Sequence, residues 1–478
     1  MSEQLSHGKQ VASLIGPDLR RLLLEVRNPD DARELVEDLH PEDLADLLAE
    51  LESEDMAEIL RLLPDDLAAG VFERLRETQQ EELVELLGVE EAADIAAEMS
   101  PDDRADLIDN LPDNVGQDLL ASLHKIDPEA AAETRSLGRY DENTAGGLMT
   151  TDYLSVGPQT TVSETIDYIR KKGEHAETAY YVFVVRDSNR LSGVASLRQL
   201  LLAESSAIIG DVMTERLITV QPDTDQEEVA RQMSKYDLLA IPVVDQRGIL
   251  LGVITADDIM DVLTEEGTED AQKIGGMEAI ENPYFATSFL TFIRKRGSWL
   301  VILFVEEFFT GTALRHYDSV LQAVGKLAYY VPLLISTGGN SGSQSATLII
   351  RGMAVGEIKM KDWWRIAWRE FGMGVVLGLG LAAIAVGRVL TWGDGPRFAM
   401  VVAITLVGIV TMGCLVGSML PLLLRRLGFD PATSSTPFIA SLVDVLGIII
   451  YFNVAKIILA KVIEEGMQHA AAAAAACH

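Results

Sequence analysis

One carboxylate, Asp444, lies inside an otherwise apolar run that begins near Ser434. An ionised carboxylate at this depth in a bilayer is costly unless it is paired, protonated or hydrated. The other long apolar runs carry no Lys or Arg at a matching depth, so the available counter-charge is a transported cation or a proton. The alternative is an Asp kept protonated or hydrogen-bonded for helix packing. The helical face that carries Asp444 is small or polar throughout, with Thr436, Ala440 and Gly447.

An earlier apolar run contains the string STGGNSGSQSAT, from Ser336 to Thr347. Gly, hydroxyl and amide groups at membrane depth are tolerated where they pack against protein or line water. Close helix packing explains Gly and Ser, but Asn340 and Gln344 need polar partners, which a wet pathway supplies. We therefore predict that the string and Asp444 line an ion pathway. The candidate residues of the string are Gly338, Gly339, Asn340, Ser343 and Gln344.

Seven acidic residues lie within fourteen positions, between Asp257 and Asp270. Like charges at this density repel each other, and a bound divalent cation would relieve the repulsion. We interpret the run as a cation-sensing surface; a solvated linker helix is the alternative. The predicted ligands are Asp225, Glu227, Asp237, Asp258, Asp261, Glu265, Glu266, Glu269 and Asp270, together with acids of the N-terminal repeat described below.

The charge of the chain divides sharply along its length. Its 478 residues have a formal net charge of −34 and yet a mean hydropathy of +0.17. Residues 1–290 hold 62 acidic and 23 basic residues, whereas residues 291–478 hold 11 and 16. The first part is thus an acidic soluble half, an unlikely partner for nucleic acid, and the second is apolar and mildly basic. From two cysteines without metal-site spacing and an N-terminus without a signal pattern, we expect the acidic half to remain in a reducing cytoplasm.

Leu or Met recurs every 12 residues from Leu39 to Leu123. Steps such as Pro41-Glu42 follow several of these positions and favour helix N-termini. Each unit predicts one short amphipathic helix, which can bury its apolar stripe only by stacking on its neighbours. We predict an acidic helical-repeat domain, an α-solenoid, over residues 31–135, after a flexible N-terminus at residues 1–30. A generic helical interaction domain is the simpler interpretation.

A second repeat aligns the segments that start at Leu148 and Val212 at an offset of 64 residues. Each copy predicts a short strand, a Pro-led step into a helix, two apolar strands and a final helix. The pattern resembles a tandem pair of CBS domains, an α+β module, over residues 145–265. We expect a long acidic connecting helix over residues 257–282 to follow it.

Tandem CBS domains often take adenosine nucleotides in their cleft, and this resemblance implies ATP as a modulator. In the family pattern a Thr or Ser contacts the ribose together with an Asp three residues later. The second copy has Thr255 and Asp258 at these positions, whereas the first copy departs from the pattern with Ser196 and Gln199. The alternative is that Asp258 simply caps the helix that starts there.

Five apolar runs, at about residues 298–314, 328–350, 371–391, 398–424 and 434–460, predict a five-helix transmembrane domain within residues 290–463. Glu306 and Glu307 in the first run lie towards its outer end. Ten basic residues flank alternate ends of the runs, against four on the other side, which predicts a cytoplasmic N-terminal half and a C-terminus outside. Residues 464–478 form a low-complexity, Ala-rich tail.

The string YYVPLLISTGGNSGSQSATLIIRGMAVGEI, the motif LPLLLRRLGFDPA and the domain order resemble the MgtE family of magnesium transporters and channels. The resemblance covers almost the whole chain. It implies a plasma-membrane homodimer with a pore between the second and fifth spans, in which Asp444 binds hydrated Mg²⁺. It also implies acidic cytoplasmic domains that bind Mg²⁺ and close the pore. Ser343 departs from the family, where a residue such as Asn is common.

A Mg²⁺-selective channel gated by cytosolic Mg²⁺ is therefore the leading interpretation. Mg²⁺ keeps most of its water and suits a site with few carboxylates, and the sequence lacks a Cys or Met cluster for softer metals. The first alternative is a proton- or cation-coupled secondary transporter of divalent metals such as Mn²⁺ or Co²⁺. The second is a membrane-anchored nucleotide and Mg²⁺ sensor. An enzyme is not expected, because the sequence has no phosphate-binding loop and no nucleophile motif.

Overall fold

The computed structural model describes residue 36, residues 39–49, 51–173 and 176–280, residue 284, and residues 287–476. The predicted flexible segment 1–30 lies outside the described residues. The chain divides after Leu263 into two compact units, which we call the cytosolic unit and the membrane unit.

The first part of the cytosolic unit is a stack of short helices. The residues of the 12-residue repeat from Leu63 to Leu123 are at most 7% exposed and belong to one apolar core. This burial confirms that each unit supplies a helix whose stripe is covered by its neighbours. The helices are α1 (Pro41–Leu48), α2 (Ser53–Leu60), α3 (Asp65–Phe72), α4 (Glu77–Leu87), α5 (Val89–Glu98), α6 (Pro101–Asn110), α7 (Asp113–Ile126) and α8 (Pro128–Leu137).

The second part of the cytosolic unit is the predicted α+β repeat. In the first copy β1 pairs with β2 in parallel and β2 pairs with β3 antiparallel, and in the second copy β4 pairs with β5 antiparallel. A register shift falls after Val184 in β2 and after Val243 in β4, the same place in each copy. The elements are β1 (Ser155–Val156), α9 (Val162–Lys172), β2 (Tyr181–Arg186), β3 (Arg190–Ser196), α10 (Leu197–Leu202), α11 (Ile209–Val212), α12 (Gln226–Tyr236), β4 (Ala240–Val244) and β5 (Leu250–Thr255).

The two copies are joined by isolated β-bridges at the edges of their sheets. Thr150 of the first copy pairs with Val253 of the second, and the equivalent Thr214 pairs with Val194 of the first. Because the same offsets relate both pairings, the copies form a pseudo-two-fold pair. The alignment of the sequence repeat thus corresponds to a symmetric three-dimensional module.

Helix α13 (Ala256–Ile274) follows β5 directly and continues past the boundary between the two units. We predicted a connecting helix as far as residue 282, but the helix ends at Ile274. Gly275 and Gly276 follow, and Gly276 has φ of +77°, a left-handed conformation that Gly adopts at helix ends.

The membrane unit is helical throughout its described residues. Among the described residues, four helices are long and apolar enough to cross a bilayer by length and composition, whereas the sequence predicted five spans. The predicted second span forms a 24-residue helix, α16, but its Gly, Ser and amide residues lower its hydropathy. The helices are α14 (Phe289–His316), α15 (Asp318–Ala323), α16 (Val331–Ala354), α17 (Trp363–Thr391), α18 (Pro396–Arg426), α19 (Thr436–Ile458) and α20 (Ala460–Ala476).

Helix α18 is the centre of this unit. It packs along α17 on one side and along α16 and α19 on the other, and α14 packs against α19. The Ala-rich tail, predicted only as a low-complexity segment, is part of α20 as far as Ala476, and α20 packs against α15. The two predicted ion-pathway segments are therefore neighbouring helices held by a common partner.

Candidate ion pathway and cation-sensing cluster

The two predicted ion-pathway helices, α16 and α19, approach each other closely beside Asp444. A Cβ atom at Gly339 would lie 3.2 Å from the Cβ of Ala440 and 3.6 Å from Oδ1 of Asp444. The absence of a side chain at Gly339 thus lets α16 lie against the carboxylate. Ser343 of α16 also donates a hydrogen bond to the carbonyl oxygen of Thr436, at 3.3 Å.

The opposite side of α16 packs against α18 through glycines. A Cβ at Gly413 would lie 2.6 Å from the carbonyl oxygen of Gly338, and one at Gly417 would overlap the carbonyl oxygen of Gly342. Nearby, Ser341 bonds to Cys414, with 3.1 Å between Oγ and Sγ. The small residues of the string therefore do serve close helix packing, against both α18 and α19.

The amides of the string lie on the other side of α16. Asn340 and Gln344, one helical turn apart, are exposed, and Thr347 further along is exposed as well. On α19, Thr436, Ala440 and Asp444 are partly exposed, whereas Gly447 is buried. We call the residues Asn340, Gln344, Ala440 and Asp444 the polar strip; within one copy of the chain it faces outwards.

The carboxylate of Asp444 has no hydrogen bond or ion pair within the part of the chain that the structure describes. Glu306 and Glu307 of α14 lie within electrostatic range of it, and Oε2 of Glu306 is buried without a hydrogen-bond partner. These acids concentrate negative charge near the polar strip, and such a concentration favours a cation.

A further carboxylate of the membrane unit was not among the residues predicted from the sequence. Glu370 of α17 is 5% exposed, and its Oε2 accepts a 2.7 Å hydrogen bond from Oγ of Ser345 on α16. It falls just before the predicted third span and therefore looked like a loop residue. The apolar positions around it, at helical spacing, were the available signal.

A separate group of acids lies in the cytosolic unit, where α6 of the helical stack faces the CBS-like pair. Oδ1 of Asp102 is buried without a hydrogen-bond partner. We call this group the acidic cluster. It consists of Asp102, Asp103, Glu177, Asp257 and Asp258.

Burial and mutual repulsion raise the pKa values of the acidic cluster. Burial, followed by repulsion from Asp258 and Asp257, raises the pKa of Glu177 to about 7. Burial also raises the pKa of Asp258 to about 6, against hydrogen bonds from Thr255 and with repulsion from Asp257. The pKa of Asp102 is well above its usual value for the same reasons. The ionised form of these carboxylates is unfavourable, because they are buried and repel each other. A bound cation would stabilise the ionised form.

The predicted regulatory ligands do not lie together but at several different sites in the structure. Asp258 belongs to the acidic cluster, and Asp261 lies near it, with its pKa raised by burial and by repulsion from Glu42 and Asp257. Asp225 instead caps α12, where it accepts a hydrogen bond from the Glu227 amide. Asp237 ends the same helix in a left-handed conformation.

The remaining predicted ligands, Glu265, Glu266, Glu269 and Asp270, lie in the membrane unit. Lys273 pairs there with Glu269 at 2.5 Å and with Asp430 at 2.7 Å. Burial, followed by repulsion from Asp430, raises the pKa of Asp270 to about 6. Among the described residues, no group of three or more His, Cys, Asp or Glu side chains is already arranged around a metal position.

The acidic cluster contains residues that the sequence analysis did not select. The predicted ligands included acids of the N-terminal repeat without naming Asp102 or Asp103, and they did not include Glu177. Pro101-Asp102-Asp103 was the visible signal, but its long-range partners cannot be read from spacing. Only the fold brings α6 to the residues near Asp258.

The predicted nucleotide residues lie at the step from β5 into α13. Asp258 Oδ2 accepts hydrogen bonds from Thr255 Oγ1 at 2.9 Å and from the Thr255 amide at 3.2 Å. In the first copy, Ser196 and Gln199 form the corresponding cap at the start of α10. The capping role that we considered for Asp258 is thus present, in a residue that also belongs to the acidic cluster.

Three family models match the chain. Residues 331–454 match the divalent cation transporter model of MgtE, residues 7–65 and 39–143 match the MgtE intracellular N domain, and residues 145–206 and 209–265 match the CBS domain. The magnesium transporter MgtE of Thermus thermophilus is 45% identical over 337 residues, which is 70% of this chain and 75% of that protein. The chain belongs to the MgtE family of magnesium transporters.

One solved structure agrees with this membership of the MgtE family. The crystal structure of the soluble part of a magnesium transporter covers 52% of this chain and 99% of that chain, at 33% identity and a TM-score of 0.50. The cytosolic domain of the Mg²⁺ channel MgtE in complex with ATP also covers 52% of this chain and 99% of that chain, at 39% identity and a TM-score of 0.49.

The family resemblance inferred from the sequence is therefore confirmed, as is the fold class of a cytosolic helical domain, a CBS pair and a helical membrane region. The interpretation as a transporter, and not an enzyme, is confirmed by the same relatives. This MgtE family member is a membrane protein with a cytosolic N-terminal domain. The assignment of individual site residues and the domain boundaries stay predictions.

Proposed function

We propose that this MgtE family member is a Mg²⁺-selective channel for magnesium uptake across the plasma membrane. The observation that carries the proposal is the polar strip: the partly exposed Asp444 lies against Gly339 of α16, and the next residue of that helix, Asn340, and Gln344 one turn later expose their amides. A polar face is unstable against lipid, so it is expected to border water. An unpaired carboxylate on that face gives the water path selectivity for cations.

A second copy of the chain would complete the pore. Two polar strips related by a two-fold axis would enclose a path lined by both Asp444 side chains, and such closed symmetry is the commonest form of homo-oligomer. Mg²⁺ gives up its water reluctantly, so two carboxylates that reach a hydrated ion suit it better than a full protein cage. A proton- or cation-coupled carrier that titrates Asp444 is the alternative.

Cytosolic Mg²⁺ is proposed to close this channel through the acidic cluster. Mg²⁺ prefers hard oxygen ligands, and the acidic cluster offers them. They are Oδ1 of Asp102, which is buried without a hydrogen-bond partner, and the carboxylates of Glu177 and Asp258, whose pKa values are raised. When Mg²⁺ falls, repulsion would separate α6 from the CBS pair. Helix α13 begins in the cluster and carries Lys273, which is paired to Asp430 just before α19, so the change would reach the pore helix.

ATP is proposed as a modulator at the CBS cleft, with Thr255 and Asp258 as ribose contacts. Asp258 would then serve both the nucleotide and the acidic cluster, which would link the two ligands. The membrane orientation follows the basic flanks of the spans, with the cytosolic unit inside and the C-terminus outside.

Ion flux into liposomes tests the proposed function. Asp444→Ala should lower Mg²⁺ flux to the level of empty liposomes, because the pore loses its cation ligand. Glu357→Gln removes an exposed acid of the membrane unit and should keep the flux. Unchanged flux in Asp444→Ala would rule out the pore and favour the sensor interpretation, and the absence of unitary currents in single-channel recordings would favour the carrier.

A further inference from the structure

A cavity of about 760 Å³ lies at the end of α18 near Arg426. It is bounded by the C-terminal part of α18 and by the turn that precedes α17. By the distribution of basic residues, this is the cytoplasmic end of the helices. The lining residues are Met360, Lys361, Trp363, Val416, Met419, Leu420, Leu422, Leu423 and Arg426.

The lining is amphipathic, with apolar walls and two cations. The apolar side chains continue into a small buried core in which Leu422 packs with Ile349 and Met353 of α16. Lys361 and Arg426 are exposed, and their side chains have no hydrogen bond or ion pair with any residue that the structure describes. Among the described residues that line the cavity none is acidic, so the lining itself carries a net positive charge.

We propose that this cavity binds an acidic phospholipid of the cytoplasmic leaflet. The phosphate of the head group would lie between Lys361 and Arg426, because cations at the membrane surface attract anionic lipids and a guanidinium bonds phosphate in a bidentate way. The acyl chains would lie along the apolar wall of α18. Trp363 would lie at head-group depth, the position that Trp prefers in membranes.

The apolar walls favour a lipid over other anions. A free phosphate ion would contact the two cations and leave the rest of the cavity without a partner. A lipid instead fills both parts, and its acyl chains cover Leu423, which is 52% exposed. Because Leu422 belongs to the core shared with α16, the bound lipid would also stabilise the packing between α16 and α18.

Native mass spectrometry of the full-length protein tests this inference, with phosphatidylglycerol and phosphatidylcholine titrated in parallel. The lining variant Lys361→Gln/Arg426→Gln should bind the first phosphatidylglycerol about tenfold or more weakly, since each cation near the surface contributes to the attraction. The control variant Arg365→Gln/Arg369→Gln loses the same charge in the same segment but leaves the cavity lining intact. It should bind as the wild type does.

Three results would overturn the proposal. Equal losses in both double variants would show a diffuse surface charge instead of a site. Displacement of phosphatidylglycerol by millimolar inorganic phosphate would show a site for free anions. A shift between monomer and dimer in the lining variant, with lipid binding unchanged, would show that this face contacts a second copy. Phosphatidylcholine is expected to bind weakly and equally in all variants.

Discussion

Glu370 illustrates what one residue contributes within the membrane unit. Its carboxylate is almost fully buried on α17 and is bonded to Ser345 of α16, the helix that carries the polar strip. A buried polar group without a partner is costly, so this bond fixes the rotation of α16 relative to α17. We therefore expect Glu370 to act as a positioning residue for the proposed pore and not as an ion ligand.

Glu370→Ala should lower the thermal stability of the detergent-solubilised protein. The loss of the bond leaves Ser345 unpaired and a gap beside it, which costs about 1–3 kcal/mol. Glu370→Gln keeps a hydrogen-bond acceptor and should retain most of the stability and of the Mg²⁺ flux. Thermal melting followed by size-exclusion chromatography measures the difference, with the exposed Glu357→Ala as the control. Equal effects of Ala and Gln at position 370 would mean that the charge itself matters.

At the scale of elements, periodic patterns predicted most of what the structure contains. The 12-residue spacing identified the helical stack, because each short helix buries the same position. The 64-residue offset identified the paired modules. The patterns could not predict the β-bridges that Thr150 and Thr214 form with the other copy, or the proximity of Asp102 to Glu177. Those interactions join residues that are far apart in the sequence.

The second span shows where composition alone was ambiguous. Its Gly and Ser residues fitted helix packing, whereas its amides fitted a water path, and the sequence could not decide between them. In the structure the glycines and the amides lie on different sides of α16, because Gly342 packs against α18 and Asn340 is exposed. Helical geometry separates the two roles, since residues two apart point in different directions.

The glycine contact between α16 and α18 leads to a prediction with a matched control. Gly417→Ala would place a methyl group onto the carbonyl oxygen of Gly342 and should destabilise the membrane unit by about 1–3 kcal/mol or more. Gly380→Ala in α17 meets nothing within 4 Å and should be neutral or slightly stabilising, because Ala favours helices. Thermal melting in detergent compares the two variants. Similar midpoints would contradict the close approach of the two helices.

At the scale of the whole molecule, the large negative charge is not spread evenly over a solvated surface. Part of it is held in the acidic cluster, where burial raises the pKa of Glu177 to about 7 and that of Asp258 to about 6. A carboxylate whose pKa is raised by folding stabilises the folded state when it is protonated. Its contribution is complete below the unfolded pKa of about 4 and is lost as the pH rises through the raised pKa.

Without Mg²⁺, the cytosolic unit should therefore be less stable at pH 8 than at pH 5, with a midpoint lower by on the order of 5 °C. Mg²⁺ binds ionised carboxylates, so millimolar Mg²⁺ should restore the midpoint at pH 8 and have little effect at pH 5. Thermal melting of residues 1–275 measures both. Glu177→Gln should flatten the pH dependence and weaken the effect of Mg²⁺, whereas the exposed Glu204→Gln should change neither. A midpoint that is independent of pH, or equal Mg²⁺ stabilisation of both variants, would contradict a sensor built on the acidic cluster.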